Sequence, residues 1–250
     1  SLGPELELTV AQVSVLGTMI LLAHGLPVEA LIARRAGARL WATLTVRILG
    51  ALLIGWLLNN IYLASGYLQQ PNRTVLTPPA VEATWNAWVL AELRNMVLIF
   101  LVILALLTLL AIFRKIGVIN LISKLLAPLL NLLGISREAA PVTIIGMTLG
   151  LAYGGGLIIR EAESGKLSAR DLFASITLMG LCHSIIEDTM LVMIMGSHIS
   201  AVFWFRILFS LVFIYLLMKL VDLLPLRLVN KFLLQPVGSS RSAGEKMKSR

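Results

Sequence analysis

Apolar residues in this chain fall in long unbroken runs, not in the alternation of a half-buried strand. The first run, Val10 to Ala23, stops at His24-Gly25-Leu26-Pro27. Proline withdraws a backbone donor there and disfavours helix at the residue before it, so a break is expected. The basic segment Arg34-Arg35-Ala36-Gly37-Ala38-Arg39 follows, and then Trp41 to Leu63, long enough to cross about 30 Å of hydrocarbon. Residues 64–80 read as a polar, Pro-rich loop. Ala80 to Leu93, with Trp85 and Trp88 three apart, reads as an interfacial helix anchored by its indoles. Asn95 to Phe113 is a full span stopped by Arg114-Lys115, and Gly117 to Leu133, holding Lys124 and Pro128, reads as a bent or partial one. Pro141 to Ile159 carries Gly146, Gly150, Gly154, Gly155 and Gly156, which let helices approach closely or let backbone unwind beside a cavity. Ser168 is placed to cap a helix that enters a second polar motif, Gly180 to Asp188. A last span, Ala201 to Leu224, is closed by Pro225, and Leu226 to Leu234 reads as a basic interfacial segment. Residues 238–250 are low in complexity and expected to be disordered.

Composition narrows the class. Of 250 residues, 58% are hydrophobic and 14% charged, too much apolar surface for a soluble domain to hide. The expected fold is an all-α, polytopic membrane bundle; the missing strand alternation argues against a β-barrel. The net charge of +8 raises nucleic acid as a partner. The basic residues cluster at the ends of apolar runs, however, where the positive-inside rule places them, so the expected partner is the lipid bilayer and not nucleic acid. A lone cysteine, Cys182, excludes an internal disulfide.

The two polar motifs are related. Both have a histidine followed five positions later by an acid, His24 and Glu29 in one, His183 and Asp188 in the other. Superposing the histidines gives an offset of 159 (183 − 24), which also lays Arg47-Ile48-Leu49 on Arg206-Ile207-Leu208 and Leu8-Thr9 on Leu167-Ser168. No gap is needed from Leu8 to Leu58, and the polar matches set this apart from chance leucine pairing. The flanking charges are reversed: three arginines follow the first motif, whereas Lys166 and Arg170 precede the second. Two copies running oppositely through the membrane would explain this, the build of many transporters whose site lies at the repeat interface. Loops 33–39, 114–116 and 160–170 and the C-terminal tail would then face the cytoplasm, with loop 64–94 and Arg137 outside. This count requires 117–133 and 171–195 both to cross. The first copy lacks counterparts of the segments between Asn95 and Ile159, so roughly 70 further residues are expected upstream.

The chain also resembles a known family. His24-Gly25-Leu26-Pro27-Val28-Glu29, Ala33-Arg34-Arg35-Ala36-Gly37, Gly155-Gly156-Leu157-Ile158-Ile159-Arg160-Glu161-Ala162 and Gly180 to Asp188 are similar to the nucleoside-recognition or Gate domain family. Relatives of that domain occur in concentrative nucleoside transporters, the ferrous-iron transporter and spore maturation proteins. The resemblance implies a bacterial inner-membrane protein of two inverted Gate repeats, broken or re-entrant at the motifs, the first incomplete at its N-terminus. The expected organisation is 1–63 first repeat, 64–94 extramembrane loop and interfacial helix, 95–224 second repeat, and 225–250 interfacial segment and tail. Its multi-pass chain would end in a cytoplasmic tail.

The expected function is transport, not catalysis: no His-Glu-x-x-His, Gly-x-Ser-x-Gly or phosphate-loop motif is present, and no cofactor is expected. Candidate substrate- or ion-binding residues are His24, Glu29, His183, Glu187 and Asp188. They would serve a nucleoside-like solute or a divalent cation, and for the cation His24, Glu29, His183 and Glu187 would be ligands. His183 and Glu187, four apart, are expected to share a helix face, with Asp188 turned away. Against this stands a buried polar cluster that only satisfies broken backbone. Arg47 and Arg206 are accessory candidates, with snorkelling from a helix end as the alternative. Cys182 is read as a small buried residue or an accessory ligand, and Gly154, Gly155 and Gly156 as a permeation lining or packing face. The second functional reading is a non-transporting scaffold, a homo-oligomer or a subunit paired with another Gate-domain protein.

Overall fold

The computed structural model describes residues 8–72 and 84–235, which form helices, turns and two isolated β-bridges. Residues 73–83, which include part of the Pro-rich loop, and the tail expected to be disordered lie outside them.

The first unit is α1 (Val10–Ala23), α2 (Leu26–Arg35) and α3 (Leu40–Ser65). Thr9 and Gln12 form a reciprocal capping box that starts α1, and α1 stops where expected, with Gly25 in the left-handed conformation (φ 63°) and Pro27 in the first turn of α2. The loop after α3 folds back on this start: the Val10 and Ala11 amides, orphan donors of a helix N-terminus, bond the carbonyls of Gln70 and Leu68 at 3.0 and 2.9 Å.

After 84 the chain forms α4 (Trp85–Lys115), α5 (Val118–Leu132), α6 (Ala140–Leu149) and α7 (Leu151–Ser164). Here the structure departs from the sequence reading in three places. The helix α4 runs 31 residues without interruption, so Trp85 and Trp88 belong to the same element as the apolar span that follows; Asn95 is a residue a helix accepts without breaking. The segment 117–133 forms a helix of 15 residues, too short to cross about 30 Å of hydrocarbon alone. At 1.5 Å per residue α5 is roughly 22 Å long. It buries Ile119, Leu126 and Leu130 on one side and carries Asn120, Lys124 and Asn131 along another, the pattern of an amphipathic interfacial helix. Third, α6 and α7 form a hairpin that reverses at Gly150 (φ 84°), where a Cβ on Gly154 would run into the backbone of Gly146. Both ends of the hairpin therefore lie on one side. Arg170 Nη1 donates to Gly134 O at 2.7 Å, and the Ser136 amide donates to Asp171 Oδ1 at 2.8 Å. The expectation of Arg137 outside and 160–170 inside is corrected: the two segments share a face.

The second unit is α8 (Ala169–Leu181), α9 (Glu187–Ile194) and α10 (Arg206–Leu223), the last preceded by one π-helical stretch, Ser200–Phe205; a short α11 (Leu226–Phe232) ends the described chain. Ser168 caps α8 as expected. At the offset of 159 the α8 start falls on that of α1, the longer break at 182–186 covers that at 24–25, and Ser184 (φ 45°) falls on Gly25. The two units run in opposite directions. The start of α1 meets the end of α9, where Ser197 Oγ donates to Val13 O at 3.1 Å and Asn72 Nδ2 to Met195 O at 3.2 Å. On the other face Arg170 at the start of α8 pairs with Asp222 near the end of α10 at 2.8 and 2.9 Å. The α2–α3 loop is tied to that end of the chain too, Arg39 Nε bonding Leu234 O at 2.9 Å. In the centre α1, α3, α8 and α10 pack against one another, and the hairpin lies over α8 and α2.

Candidate functional site

The breaks in the two units meet. Each leaves carbonyls at the C-terminus of a half-helix without partners, and the same device satisfies both. Arg47, inside α3, sends Nε to Leu22 O at 2.9 Å and Nη2 to His24 O at 2.8 Å. Arg206 repeats this, with Nε to Leu181 O at 3.2 Å and Nη2 to His183 O at 2.9 Å. A cation at a helix C-terminus also offsets the dipole there. Both arginines are 1% exposed, so neither snorkels. They are fixed parts of the breaks.

The acids sit in the first turns of the outgoing half-helices, at the favourable end of the dipole. Glu29 completes its unit by pairing with Arg47 Nη1. Its counterpart Asp188, one methylene shorter, makes no such bond: Asp188 Oδ2 and Arg206 Nη1 are both buried without a hydrogen-bond partner. The copies agree in backbone and differ in this ion pair.

The histidines occupy the breaks themselves, and each ring is oriented by its own helix. His24 Nδ1 lies 3.1 Å from Ile20 O, and His183 Nδ1 lies 3.0 Å from Met179 O. A carbonyl only accepts, so each Nδ1 carries the proton, and in the neutral rings each Nε2 carries a lone pair. Those two Nε2 atoms face each other at 3.2 Å. Glu29 Oε1 stands 3.1 Å from His183 Nε2, and Asp188 Oδ2 stands 3.6 Å from His24 Nε2 and 3.7 Å from His183 Nε2. Three of these groups, His24, Glu29 and His183, each offer an atom within 4.8 Å of the other two, and Asp188 Oδ2 faces both histidines from the second unit. His183 is 3% exposed, whereas the His24 side chain is 35% exposed.

Of the residues the sequence singled out, the structure brings together His24, Glu29, His183 and Asp188. Glu187 stays out: it is half-buried and makes no hydrogen bond or ion pair with them. The expected His183–Glu187 face fails because the helix is broken between them, so a four-residue spacing no longer sets a common direction; Asp188 is the acid that turns in. Cys182 is buried at the end of α8. Gly154 and Gly155 are packing residues, against Gly146 and against Ile32, while a Cβ at Gly156 would meet open space. Sequence reasoning missed the hairpin tip, which seats on the second break: the Ile185 amide donates to Met147 O at 2.9 Å, and Gly150 leaves room for Ser184 Oγ. The signal available was the cluster of glycines from 146 to 156.

Two spaces adjoin the cluster. One, beside Glu29 and Arg47, is about 10 Å³, the room one water needs. The other is an open groove of about 450 Å³ between α1 and α3, lined by Leu16, Met19, Ile20, Ile48 and Leu52, with His24 the sole ionisable group on its wall.

Comparison with known proteins points to a membrane protein as well. Residues 96–199 match the family model Gate, described as nucleoside recognition. The chain is 26% identical over 206 residues to the uncharacterized membrane protein YvoD of Bacillus subtilis (strain 168), across 81% of this chain and 66% of that relative. The chain thus spans just under two thirds of the relative's length. No solved structure matches it.

Proposed function

We propose that this chain, a polytopic α-helical membrane protein carrying a Gate domain, is a transporter or permease subunit that handles a divalent cation where its two inverted units meet. One observation carries the reading: two imidazole Nε2 atoms and two carboxylate oxygens face one another where the breaks meet. Atoms of these kinds hold together only around a shared proton or a cation, and with each Nδ1 already bonded to a carbonyl both Nε2 atoms are directed at that shared position. Apart from Arg206 Nη1, the guanidinium nitrogens at the breaks are bonded to carbonyls or to Glu29, so these four atoms are what is left to meet a cation. Ionisable groups inside apolar spans are costly and mark solute or ion paths, and opposed units joined at broken helices are the usual setting for one.

A nucleoside, the ligand class in the family's description, is less well supported. The space beside Glu29 has room for no more than one water, and the large groove offers aliphatic side chains and one histidine where a base and ribose need several hydrogen-bonding partners. The open groove favours one other reading, a non-transporting subunit whose α1–α3 face is covered by a second Gate-domain chain. The positive-inside rule orients the face that bears Arg34, Arg35, Arg39, Arg160 and Lys166 toward the cytoplasm of a bacterial inner membrane.

Flux of divalent cations into vesicles reconstituted with the chain tests the proposal. The chain should raise that flux over empty vesicles, and the doubly substituted His24→Ala/His183→Ala protein, shown to be folded by its circular dichroism, should not. Equal flux from both proteins refutes the site. Absence of flux from the unsubstituted protein, with a partner retained through purification, favours the subunit reading.

A further inference from the structure

Resting on the cation reading above, we infer that the cluster is a four-ligand site for one late first-row transition-metal dication, in which Glu29 is the fixed carboxylate and Asp188 the exchanging one. The ligand set selects the ion. Two imidazoles with two carboxylates suit zinc-like ions, whereas calcium and magnesium want six or more oxygens. Each histidine is already prepared as a ligand, its Nδ1–H bonded to a carbonyl one turn back so that Nε2 is free and aimed inward. His24 Nε2, His183 Nε2 and Glu29 Oε1 lie within 4.8 Å of one another, close enough for a single ion to bind all three.

The asymmetry between the units assigns the fourth ligand its role. Glu29 is held through Arg47, which divides its charge between guanidinium and site. Asp188 has no such hold. Its Oδ2 lacks a hydrogen bond and faces both histidines, while the Arg206 Nη1 that would match Arg47 also lacks one. The carboxylate therefore has two poor neighbours and two good destinations. It can close on a metal held by the histidines, or turn to Arg206 and leave them, because, one methylene shorter than Glu29, it does not span from guanidinium to site as Glu29 does. In the first position the site gains a full negative charge and its fourth ligand; in the second it loses both. Metal capture and release then need only one side-chain movement, on the more weakly anchored unit.

Cobalt(II) titration of the purified chain tests this, since a four-coordinate nitrogen and oxygen site gives intense visible bands. The bands should appear at one equivalent, vanish on adding zinc(II), and persist in excess magnesium or calcium. Either His24→Ala or His183→Ala should abolish them. Asp188→Asn should weaken cobalt affinity on the order of tenfold or more. Asp188→Glu supplies the missing methylene, so it should pair with Arg206 as Glu29 pairs with Arg47, raise the melting temperature without metal, keep the cobalt bands, and release cobalt to a chelator more slowly than the unsubstituted chain. Bands that survive both histidine substitutions, or no bands in the unsubstituted protein, overturn the site. Cobalt release from Asp188→Glu as fast as from the unsubstituted chain overturns the exchanging role. The vesicle flux reading stays separate: a chain that binds cobalt through these residues yet moves no cation keeps this site and loses the transport proposal.

Discussion

At the residue scale, the two arginines show how similar side chains in matched settings come to different energetic weights. Arg47 satisfies two carbonyls and neutralises Glu29; Arg206 satisfies carbonyls and leaves Nη1 unbonded. Removing one member of a buried ion pair leaves an uncompensated charge and costs about 3–5 kcal/mol, more than the loss of carbonyl bonds alone. Arg47→Ala should therefore lower the thermal midpoint in detergent clearly more than Arg206→Ala. Adding Glu29→Gln to Arg47→Ala should recover part of the loss, because the stranded charge is gone. Equal midpoints for the two single substitutions would contradict the asymmetry of the units. That asymmetry could be read in the sequence only as Glu against Asp at the same offset. What it means depends on where the guanidinium ends, and a buried arginine cannot be told from a snorkelling one until its helix is placed against the break.

At the element scale, most of what was legible came from local chemistry. Pro27 and Gly25 predict the first break, Ser168 predicts the start of α8, and the offset of 159 predicts that the second unit breaks where the first does. Elements whose shape depends on partners were less legible. The segment 117–133 is apolar enough to pass for a span, and only burial of one stripe with Lys124 on another identifies it as lying flat. The face expected to join His183 and Glu187 assumed a continuous helix. The run 141–159 looked like one element because neither of its helices ends in a proline; it reverses because Gly150 takes a positive φ and Gly146 lets Gly154 approach its backbone. That contact admits a direct test. Gly154→Val must push α7 off α6, at a cost of about 1–3 kcal/mol. Gly156→Ala, in open space on the same helix, should leave the thermal midpoint unchanged or slightly raised, since alanine favours helix by up to about 1 kcal/mol. A Gly154→Val protein as stable as Gly156→Ala would show that the hairpin does not close there.

At the scale of the whole molecule, the reversal at Gly150 decides the membrane topology. Helices of 10 and 14 residues could cross together only as one rod, and the contacts exclude the rod. Gly134 and Ser136, just before the hairpin, are bonded to Arg170 and Asp171, just after it. If the hairpin were unfolded into a span, these partners would be separated by the thickness of the bilayer. Arg170 in turn holds Asp222, and the α2–α3 loop is bonded to Leu234, so the ends of α2, α7 and α10 belong to one face. The ends of α1, α3 and α9 nearest Gln70, Asn72 and Ser197 belong to the other. In a Cys182→Ala background, single cysteines at Glu138 and Glu163 should then react with an impermeant maleimide from the same side of sealed vesicles, and one at Gln70 from the opposite side. If α6 and α7 instead crossed as a single span, Glu138 would label together with Gln70 and against Glu163. Under that outcome α8 could no longer begin on the face it shares with Asp222, the second unit would not oppose the first, and His183 would have no reason to meet His24. The labelling pattern therefore tests the site through the topology that assembles it, without relying on any ligand.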